Sequence, residues 1–298
     1  MAKFKIYTDS ASDLPKDIRE KFNISYFPMG LVVDGRQTVA DLDWGEYKFD
    51  EFYQLLADGH KVQTTLITVE TFENEIEKCF KEGYDVLYLG CSTALTGSIN
   101  SFNLAKEDLL ERYSGRRMVA VPTFAASITL GMMVVDAAKQ QAKGASLDEV
   151  CKWVEDNRFF YNQFCTVDTL TYLRASGRVT GAKAFFGNLM GVKPLFISDR
   201  KGNNLVIGKA KGTKGSMDAI FNSIKDVIDT AKDDRIVVIH ASCLDRAQAL
   251  KERFEKELGS KHVYIEPMGP IVGTTCGPKT IAAFCYGKEV TRFEGDGK

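Results

Sequence analysis

The sequence predicts an α/β protein with doubly wound parallel sheets. Short apolar runs alternate with amphipathic helical patterns along most of the 298 residues, as expected for parallel strands joined by helical crossovers. Hydrophobic residues make up 44% of the chain, which is enough for a sizeable core and too many for a disordered protein. This length fits one large or two ordinary α/β domains.

The individual elements follow from the apolar periodicity. Strands are predicted at Phe4–Thr8, Tyr26–Val33, Val86–Gly90, Met118–Val121, Val192–Ile197, Leu205–Ile207, Ile236–His240 and Val263–Pro267. Helices are predicted at Phe49–Ala57, Val69–Lys81, Ile99–Leu110, Ser127–Lys143, Leu147–Asn157, Ser216–Ala231 and Asp245–Leu258. A boundary near Phe159–Asp168 divides the chain into domains of residues 1–160 and 161–298. Such folds bind ligands at the carboxyl ends of their strands, so the loops after the strands are the candidate site.

Composition restricts the cellular setting. The formal net charge is −1, which gives no global attraction to nucleic acid or to a membrane. The first residues show no secretory signal, and no apolar stretch reaches the ~18 residues of a membrane span. Seven cysteines without a C-x-x-C pair are typical of reduced thiols. We therefore expect a cytoplasmic protein without a transmembrane segment.

Familiar catalytic and cofactor motifs are missing from the sequence. The three histidines, His60, His240 and His262, are far apart and support neither a metal site nor a Ser–His–Asp triad. There is no G-x-G-x-x-G and no G-x-S-x-G. Residues 273–280 imitate a phosphate-binding loop with the wrong spacing, and a turn is predicted there. We expect no metal, no cofactor and no self-contained catalysis.

The loop after the Val86–Gly90 strand is unusually rich in hydroxyls. It carries Ser92, Thr93, Thr96 and Ser98 before the next predicted helix. One helix needs only one cap, so capping explains part of this set. Hydroxyls and free backbone N–H groups at a helix start also suit an anion, and Gly97 allows close approach of the backbone. Without a nearby lysine or arginine, a carboxylate fits better than a phosphate. Capping and anion binding both remain open.

Basic residues concentrate in one segment. Between Arg174 and Lys214 there are nine basic residues and one acidic residue, Asp199, which gives this segment a net charge of +8. The segment is either a solvated basic face or a docking surface for an acidic partner, for phosphates or for an anionic membrane. Its few aromatic residues and lack of a recognition motif disfavour nucleic acid.

Several short motifs, taken in order, resemble the DegV family of bacterial fatty-acid-binding proteins. They are Thr8-Asp9-Ser10 to Asp13-Leu14-Pro15, Thr64-Thr65, Ser92-Thr93-Ala94-Leu95-Thr96-Gly97-Ser98, Ala126-Ser127, Thr169-Leu170 with Tyr172-Leu173, Gly177-Arg178, Lys193-Pro194-Leu195, and Gly273 to Gly277-Pro278. Together they span nearly the whole chain. The chain departs from the family pattern at Thr275, where the family commonly has a histidine.

The resemblance implies a fold and a function. The fold has two α/β domains, the first with a Rossmann-like parallel sheet and the second with a mixed sheet packed against helices. The ligand is a long-chain fatty acid such as hexadecanoate, whose carboxylate is held by the hydroxyls of Thr64 and Thr96 with Thr65, Ser92 and Thr93 close by. A separate ATP-dependent fatty acid kinase phosphorylates the bound acid, so the chain itself presents a substrate.

Two further sets of residues complete this interpretation. An acyl-chain pocket is predicted from Leu170, Leu173, Phe185, Phe186, Leu189, Met190 and Phe284, although each of these residues could equally belong to an ordinary core. A kinase docking surface is predicted from Arg174, Arg178, Lys209 and Lys211, and it leaves peripheral membrane contact open.

Two alternatives compete with the lipid carrier. One is an α/β enzyme acting on a small carboxylated or phosphorylated substrate, which would need its hydroxyls to act without an evident base. The other is a nucleic-acid-binding protein that uses the basic segment.

Overall fold

The computed structural model describes residues 3–180 and 191–292. The strands in this part of the chain are β1 (Phe4–Asp9), β2 (Ile24–Phe27), β3 (Gly30–Val33), β4 (Arg36–Val39), β5 (Val62–Thr65), β6 (Asp85–Tyr88), β7 (Met118–Ala120), β8 (Tyr161–Thr166), β9 (Val179–Thr180), β10 (Val192–Ser198), β11 (Asn204–Lys211), β12 (Arg235–His240), β13 (His262–Pro267) and β14 (Ile281–Tyr286). The α-helices are α1 (Lys16–Lys21), α2 (Phe49–Ala57), α3 (Val69–Lys81), α4 (Ser98–Arg112), α5 (Ser127–Ala142), α6 (Leu147–Asn157), α7 (Thr171–Ser176), α8 (Gly212–Val227), α9 (Leu244–Glu257) and α10 (Pro270–Cys276).

The strands form three sheets. One is entirely parallel, with the order β2-β1-β6-β7. The largest has the order β13-β12-β14-β8-β10-β11-β9 and is mixed, since β12–β13 and β11–β9 pair in parallel and the other pairs are antiparallel. A small antiparallel sheet has the order β4-β3-β5. The predicted α/β class, with a parallel first sheet and a mixed second sheet, is confirmed.

Two clusters of buried side chains hold these layers together. The larger cluster joins the first half of the chain, including Phe72 and Phe102, to Phe196 and Phe284 of the mixed sheet. The smaller cluster lies under α8 and α9 on the other face of the mixed sheet. The larger cluster contains residues from both sides of the predicted domain boundary at residue 160. The division of the chain at that point therefore stays a prediction.

The predicted helices agree closely with the structure, whereas the strands agree less well. Helices α2, α3 and α6 begin and end at the predicted residues. The single predicted strand Tyr26–Val33 is wrong, because the chain leaves the parallel sheet at Pro28. Proline cannot donate to a ladder, and the next backbone N–H, that of Met29, donates to the hydroxyl of Ser10 at 2.9 Å. Residues 30–33 then begin the small antiparallel sheet.

Strands β5, β8 and β14 and helix α10 were not predicted from the sequence, although each contributes residues to the pocket described below. Strands β8 and β14 pair with each other in the middle of the mixed sheet. The predicted turn at residues 273–280 is wrong for its first part, since α10 continues to Cys276. Its first residue, Pro270, has the fixed φ that favours a helix start.

A buried carboxylate joins the first strand loop to two helices. Asp13 follows a short 3-10 helix at Ser10–Ser12 and is 5% exposed. Its Oδ2 accepts a hydrogen bond from Ser127 Oγ at 2.6 Å, at the start of α5. Its Oδ1 accepts from the backbone N–H of Gly269 at 3.1 Å, immediately before α10. Burial outweighs these hydrogen bonds and raises the pKa of Asp13 to about 7.

This raised pKa makes stability depend on pH. Asp13 has a pKa near 3.8 when solvated and about 7 when folded, so the folded protein holds an extra proton between those values. The free energy of unfolding therefore falls as pH rises from about 4 to about 7, by at most about 1.4 kcal/mol per pH unit from this one group. We expect Asp13→Asn to flatten this dependence in denaturation curves measured at several pH values.

Removal of an exposed carboxylate is the control for this experiment. Glu70→Gln, on the surface of α3, should leave the pH dependence as it is in the unmodified protein. Identical slopes for Asp13→Asn and the unmodified protein would contradict the assignment.

Candidate ligand pocket

A pocket of about 160 Å³ lies where the loops after the parallel strands meet one face of the mixed sheet. Its apolar and thiol lining consists of Ala11, Met29, Leu66, Cys91, Leu95, Ala126, Cys165, Phe196, Ile239, Met268, Ile271, Val272, Cys276, Ala282 and Phe284. Its polar lining consists of Thr64, Thr65, Thr96, Ser127, Gln163, Arg178, Asn204 and Thr275. Gly97 completes the wall. The lining is thus mainly apolar, with hydroxyls as the commonest polar groups.

The mixed sheet provides the floor of the pocket. Cys165 on β8 lies opposite Ala282 on β14 and also pairs with Phe196 on β10. Ile239 of β12 lies opposite Ala282 on the other side. Because side chains alternate between the two faces of a strand, these residues share one face, and all four are at most 3% exposed. The floor is consequently a mainly apolar surface of buried side chains.

Threonines of two separate loops meet at the pocket. Thr64 and Thr65 end β5, and Thr96 precedes α4. The hydroxyl of Ser98 connects the loops, since it accepts from the Ile67 backbone N–H at 3.2 Å and lies 3.0 Å from Thr96 Oγ1. Thr64 and Thr96 are half-buried, as expected for groups at the wall of a cavity.

Thr65 occupies a more exposed position at the mouth. Its neighbour across the ladder is Gly30, and a Cβ at that position would lie 2.0 Å from Thr65 Oγ1. The absence of a side chain on Gly30 therefore allows the Thr65 hydroxyl to lie over the β3 backbone. Leu66 next to it is 42% exposed and also borders the pocket. The pocket is open to solvent on the side of Thr65 and Leu66.

Ser92 and Thr93, which were predicted near the carboxylate, lie outside the pocket lining. The Ser92 hydroxyl accepts from the Ala94 backbone N–H at 3.2 Å, which shapes the loop. It also faces Gly202, where φ is +80° and a Cβ would lie 2.1 Å from Ser92 Oγ. Thr93 is exposed. Ser92 therefore shapes the loop that leads to Thr96, and neither Ser92 nor Thr93 borders the cavity.

Arg178, Asn204 and Thr275 line the pocket, although none of them was predicted to do so from the sequence. Arg178, predicted as part of a docking surface, borders the pocket with an exposed side chain. Asn204 on β11 donates to the Arg178 backbone carbonyl at 3.1 Å and so fixes the position of this segment. Thr275, at the position of the family's histidine, also lines the pocket, and its hydroxyl donates to the Ile271 carbonyl at 3.4 Å.

The predicted acyl-chain residues divide into three groups. Phe284 lines the pocket, and its contact with an acyl chain stays a prediction. Leu170 and Leu173 do not line it, because Leu173 on α7 is buried in the larger core cluster and Leu170 packs against that cluster. Phe185, Phe186, Leu189 and Met190 lie outside the described residues.

The remaining docking candidates are exposed. Lys209 and Lys211 lie two residues apart on β11, so their side chains point to the same side of the strand. Within residues 3–180 and 191–292 neither ammonium group has an ion-pair partner. Arg174 is exposed at the end of α7.

Gln163 was missed, as was the strand that carries it. The sequence of β8, Tyr161–Thr166, mixes polar and apolar residues, which masks its burial. The strand opposite, Ile281–Tyr286, is a short apolar run between Pro278 and Gly287 and could have been found by that pattern. Gln163 pairs with Phe284 of this apolar strand. A polar side chain opposite a buried apolar strand would then have indicated a cavity at that position.

The described residues contain neither a membrane-spanning helix nor a metal-binding group of side chains. In the described part of the chain, no helix combines the length and apolar character needed to cross a bilayer. Within the same ranges, no three His, Cys, Asp or Glu side chains are grouped so that they could bind a metal ion.

The fold and the pocket define an α/β protein with a parallel sheet, a mixed sheet and a mainly apolar cavity between them. The family model described as "Uncharacterised protein, DegV family" matches residues 3–288. A DegV domain-containing protein of Clostridium perfringens is 32% identical over 287 residues, which cover 96% of this chain and 98% of that protein. The chain belongs to the DegV family, and the resemblance noted in the sequence is confirmed.

Solved structures of the family superimpose over almost the whole chain. A fatty-acid-binding DegV family protein from Thermus thermophilus is 27% identical, with a TM-score of 0.84, and the match covers 96% of this chain and all of that one. A DegV lipid-binding protein from Thermotoga maritima is 25% identical, with a TM-score of 0.82, and the match covers 97% of this chain and all of that one.

The Ser98 bridge between the two loops generates a stability prediction. Ser98→Ala leaves the buried Ile67 N–H without its acceptor, so we expect a loss of about 1–3 kcal/mol in the free energy of unfolding. Ser101→Ala on the same helix is the control, because the Ser101 hydroxyl has no hydrogen-bond partner among the described residues. Chemical denaturation measures both, and equal losses would contradict a specific role for Ser98.

Proposed function

We propose that this protein binds a long-chain fatty acid in the pocket and presents its carboxylate to a separate ATP-dependent kinase. The observation that carries the proposal is the division of the pocket into hydroxyls and an apolar floor. Thr64, Thr65 and Thr96 supply hydroxyls near solvent, while the mixed sheet supplies a surface without charge. A fatty acid has the same division between a charged head and an apolar chain.

Hydroxyl groups suit a carboxylate for a physical reason. A threonine hydroxyl donates a hydrogen bond to an anion, and a hydrogen bond to a charged acceptor contributes about 1.5–3 kcal/mol. Thr96 lies at the start of α4, where backbone N–H groups and the helix dipole also favour negative charge. Arg178 adds a positive charge at the pocket. These groups together favour a carboxylate at this end of the pocket.

The apolar floor suits an acyl chain. Burial of each methylene contributes about 0.8 kcal/mol, so a chain in contact with this floor supplies most of the affinity. The two solved relatives support this assignment, since one is described as fatty-acid-binding and the other as lipid-binding. The two matches cover 96% and 97% of this chain.

The thiols of the pocket favour binding over catalysis. Burial raises the pKa of Cys91 and of Cys165 well above the ordinary thiol value. Only a thiolate is a strong nucleophile, so both groups stay protonated and unreactive near neutral pH. We therefore propose that the kinase supplies the phosphoryl chemistry and that this protein supplies the acid.

Valine substitutions of the two threonines test the carboxylate site. Thr64→Val and Thr96→Val keep the side-chain shape and remove the hydroxyl, so we expect each to weaken hexadecanoic acid binding about tenfold or more. Displacement of a fluorescent fatty acid measures the affinity. Hexadecanol lacks the carboxylate, so its affinity should change much less.

Thr93→Val is the matched control, because Thr93 is an exposed threonine of the same loop that does not line the pocket. It should leave both affinities unchanged. Equal losses for hexadecanoic acid and hexadecanol in Thr96→Val would refute the proposed contact with the carboxylate.

The proposed docking surface continues from the pocket along β11. Asn204 at the start of this strand lines the pocket, and Lys209 lies five residues further on. At about 3.3 Å per residue the two backbone positions are roughly 17 Å apart. An acidic partner bound to Lys209 and Lys211 would thus be held beside the pocket.

Charge reversal at this pair tests docking separately from lipid binding. Lys209→Glu combined with Lys211→Glu should greatly reduce acyl phosphate formation by an added bacterial fatty acid kinase and ATP, while hexadecanoic acid affinity stays unchanged. Arg178 is avoided because it lines the pocket. Lys143→Glu combined with Lys225→Glu makes the same charge change elsewhere and should have little effect. Unchanged phosphorylation in the first pair would refute docking at this surface.

A further inference from the structure

Gln163 is a buried polar side chain in the mainly apolar floor of the pocket. Gln163 is in β8 and is only 7% exposed. Its partner across the ladder is Phe284, and its neighbour on the same face is Cys165. Since buried polar groups are costly unless they are hydrogen-bonded, a glutamine at this position needs a physical explanation.

The structure satisfies only one end of the Gln163 amide. The hydroxyl of Thr129, which is 2% exposed on α5, donates to Gln163 Oε1 at 3.4 Å. Among the described residues Gln163 Nε2 makes no hydrogen bond. Protein atoms do not fully enclose this nitrogen. The amide therefore has an unused hydrogen-bonding end with open space beside it.

Strand geometry directs this amide toward the pocket. Its sequence neighbour Phe164 points to the opposite face, into the smaller core under α8. Gln163 shares its face with Cys165 and contacts Thr129, which lies on the pocket side of the sheet. The unused end of the amide is thus available to a ligand that lies on the floor.

We infer that Gln163 recognises an oxygen atom carried on the acyl chain, and that the pocket prefers hydroxylated long-chain fatty acids over unsubstituted ones. This inference rests on the proposed function and specifies its ligand class. A hydroxyl both donates and accepts, so it pairs with either end of an amide. An unsubstituted methylene leaves the amide unpaired or shielded from water. A second carboxylate fits less well, because the floor offers no charge to balance it.

Competition binding tests the preference. Octadecanoic acid is compared with its 10-hydroxy and 12-hydroxy derivatives, and hexadecanoic acid with its 16-hydroxy derivative, by displacement of a fluorescent fatty acid. We expect at least one hydroxy acid to bind about three- to tenfold more tightly than its parent. Gln163→Met keeps the length of the side chain without the amide and should abolish that preference.

Two further variants make the result decisive. Thr96→Val should weaken the hydroxy acid and its parent equally, which leaves their ratio unchanged because that residue contacts only the carboxylate. Gln163→Leu repeats the test if thermal melting shows that Gln163→Met is unfolded.

The outcomes separate this inference from the proposed function. If the parent acids bind and no hydroxy acid binds more tightly, the Gln163 amide does not recognise an oxygen on the acyl chain, and the inference is overturned. The same holds if Gln163→Met or Gln163→Leu retains the preference. If neither the parent acids nor the hydroxy acids bind to the unmodified protein, the proposed function itself fails.

Discussion

The buried carboxylate of Asp13 is the contact on which the arrangement of the pocket depends. It binds the first strand loop to α5 through Ser127 and to α10 through the backbone of Gly269. All three elements border the pocket, through Ala11, Ser127 and Ile271. A carboxylate in this position is costly to bury, as its raised pKa of about 7 shows. Burial of this carboxylate therefore lowers the free energy of unfolding at neutral pH, while its hydrogen bonds fix the relative positions of three elements that border the pocket.

The pocket that results combines parts with different physical roles. The loops after the parallel strands contribute hydroxyls, held by one another through Ser98. The mixed sheet contributes a mainly apolar surface, which the amides of Gln163 and Asn204 interrupt. A ligand with a charged head and a long apolar body satisfies both parts at once, and an oxygen on that body satisfies the amide. Contacts of the acyl chain with the apolar floor then contribute most of the ligand's binding free energy, and hydrogen bonds to the polar groups fix the ligand's orientation.

The sequence predicted the fold class and the longer helices because those depend on local periodicity, whereas the short helices α1, α7 and α10 were not predicted. The excess of hydroxyls over capping needs pointed to the loop that contains Thr96, whereas Thr64 and Thr65 were expected only from the family resemblance; all three line the pocket, and their contact with a carboxylate stays a prediction. The sequence did not predict Gln163, Asn204 or the pocket position of Arg178. Those side chains come together only through long-range pairing of β8, β11 and β14, and register between distant strands leaves little trace in a single sequence. Ser92 and Thr93 carry the same residue types, but loop geometry turns them away from the cavity.

Native mass spectrometry of the purified protein, followed by organic extraction and identification of what is released, tests the central claim most directly. The account predicts a co-purifying long-chain fatty acid, one molecule per chain, that is lost when Thr64 and Thr96 are both changed to valine. A protein that is empty as purified and that also fails to take up added hexadecanoic acid would contradict it.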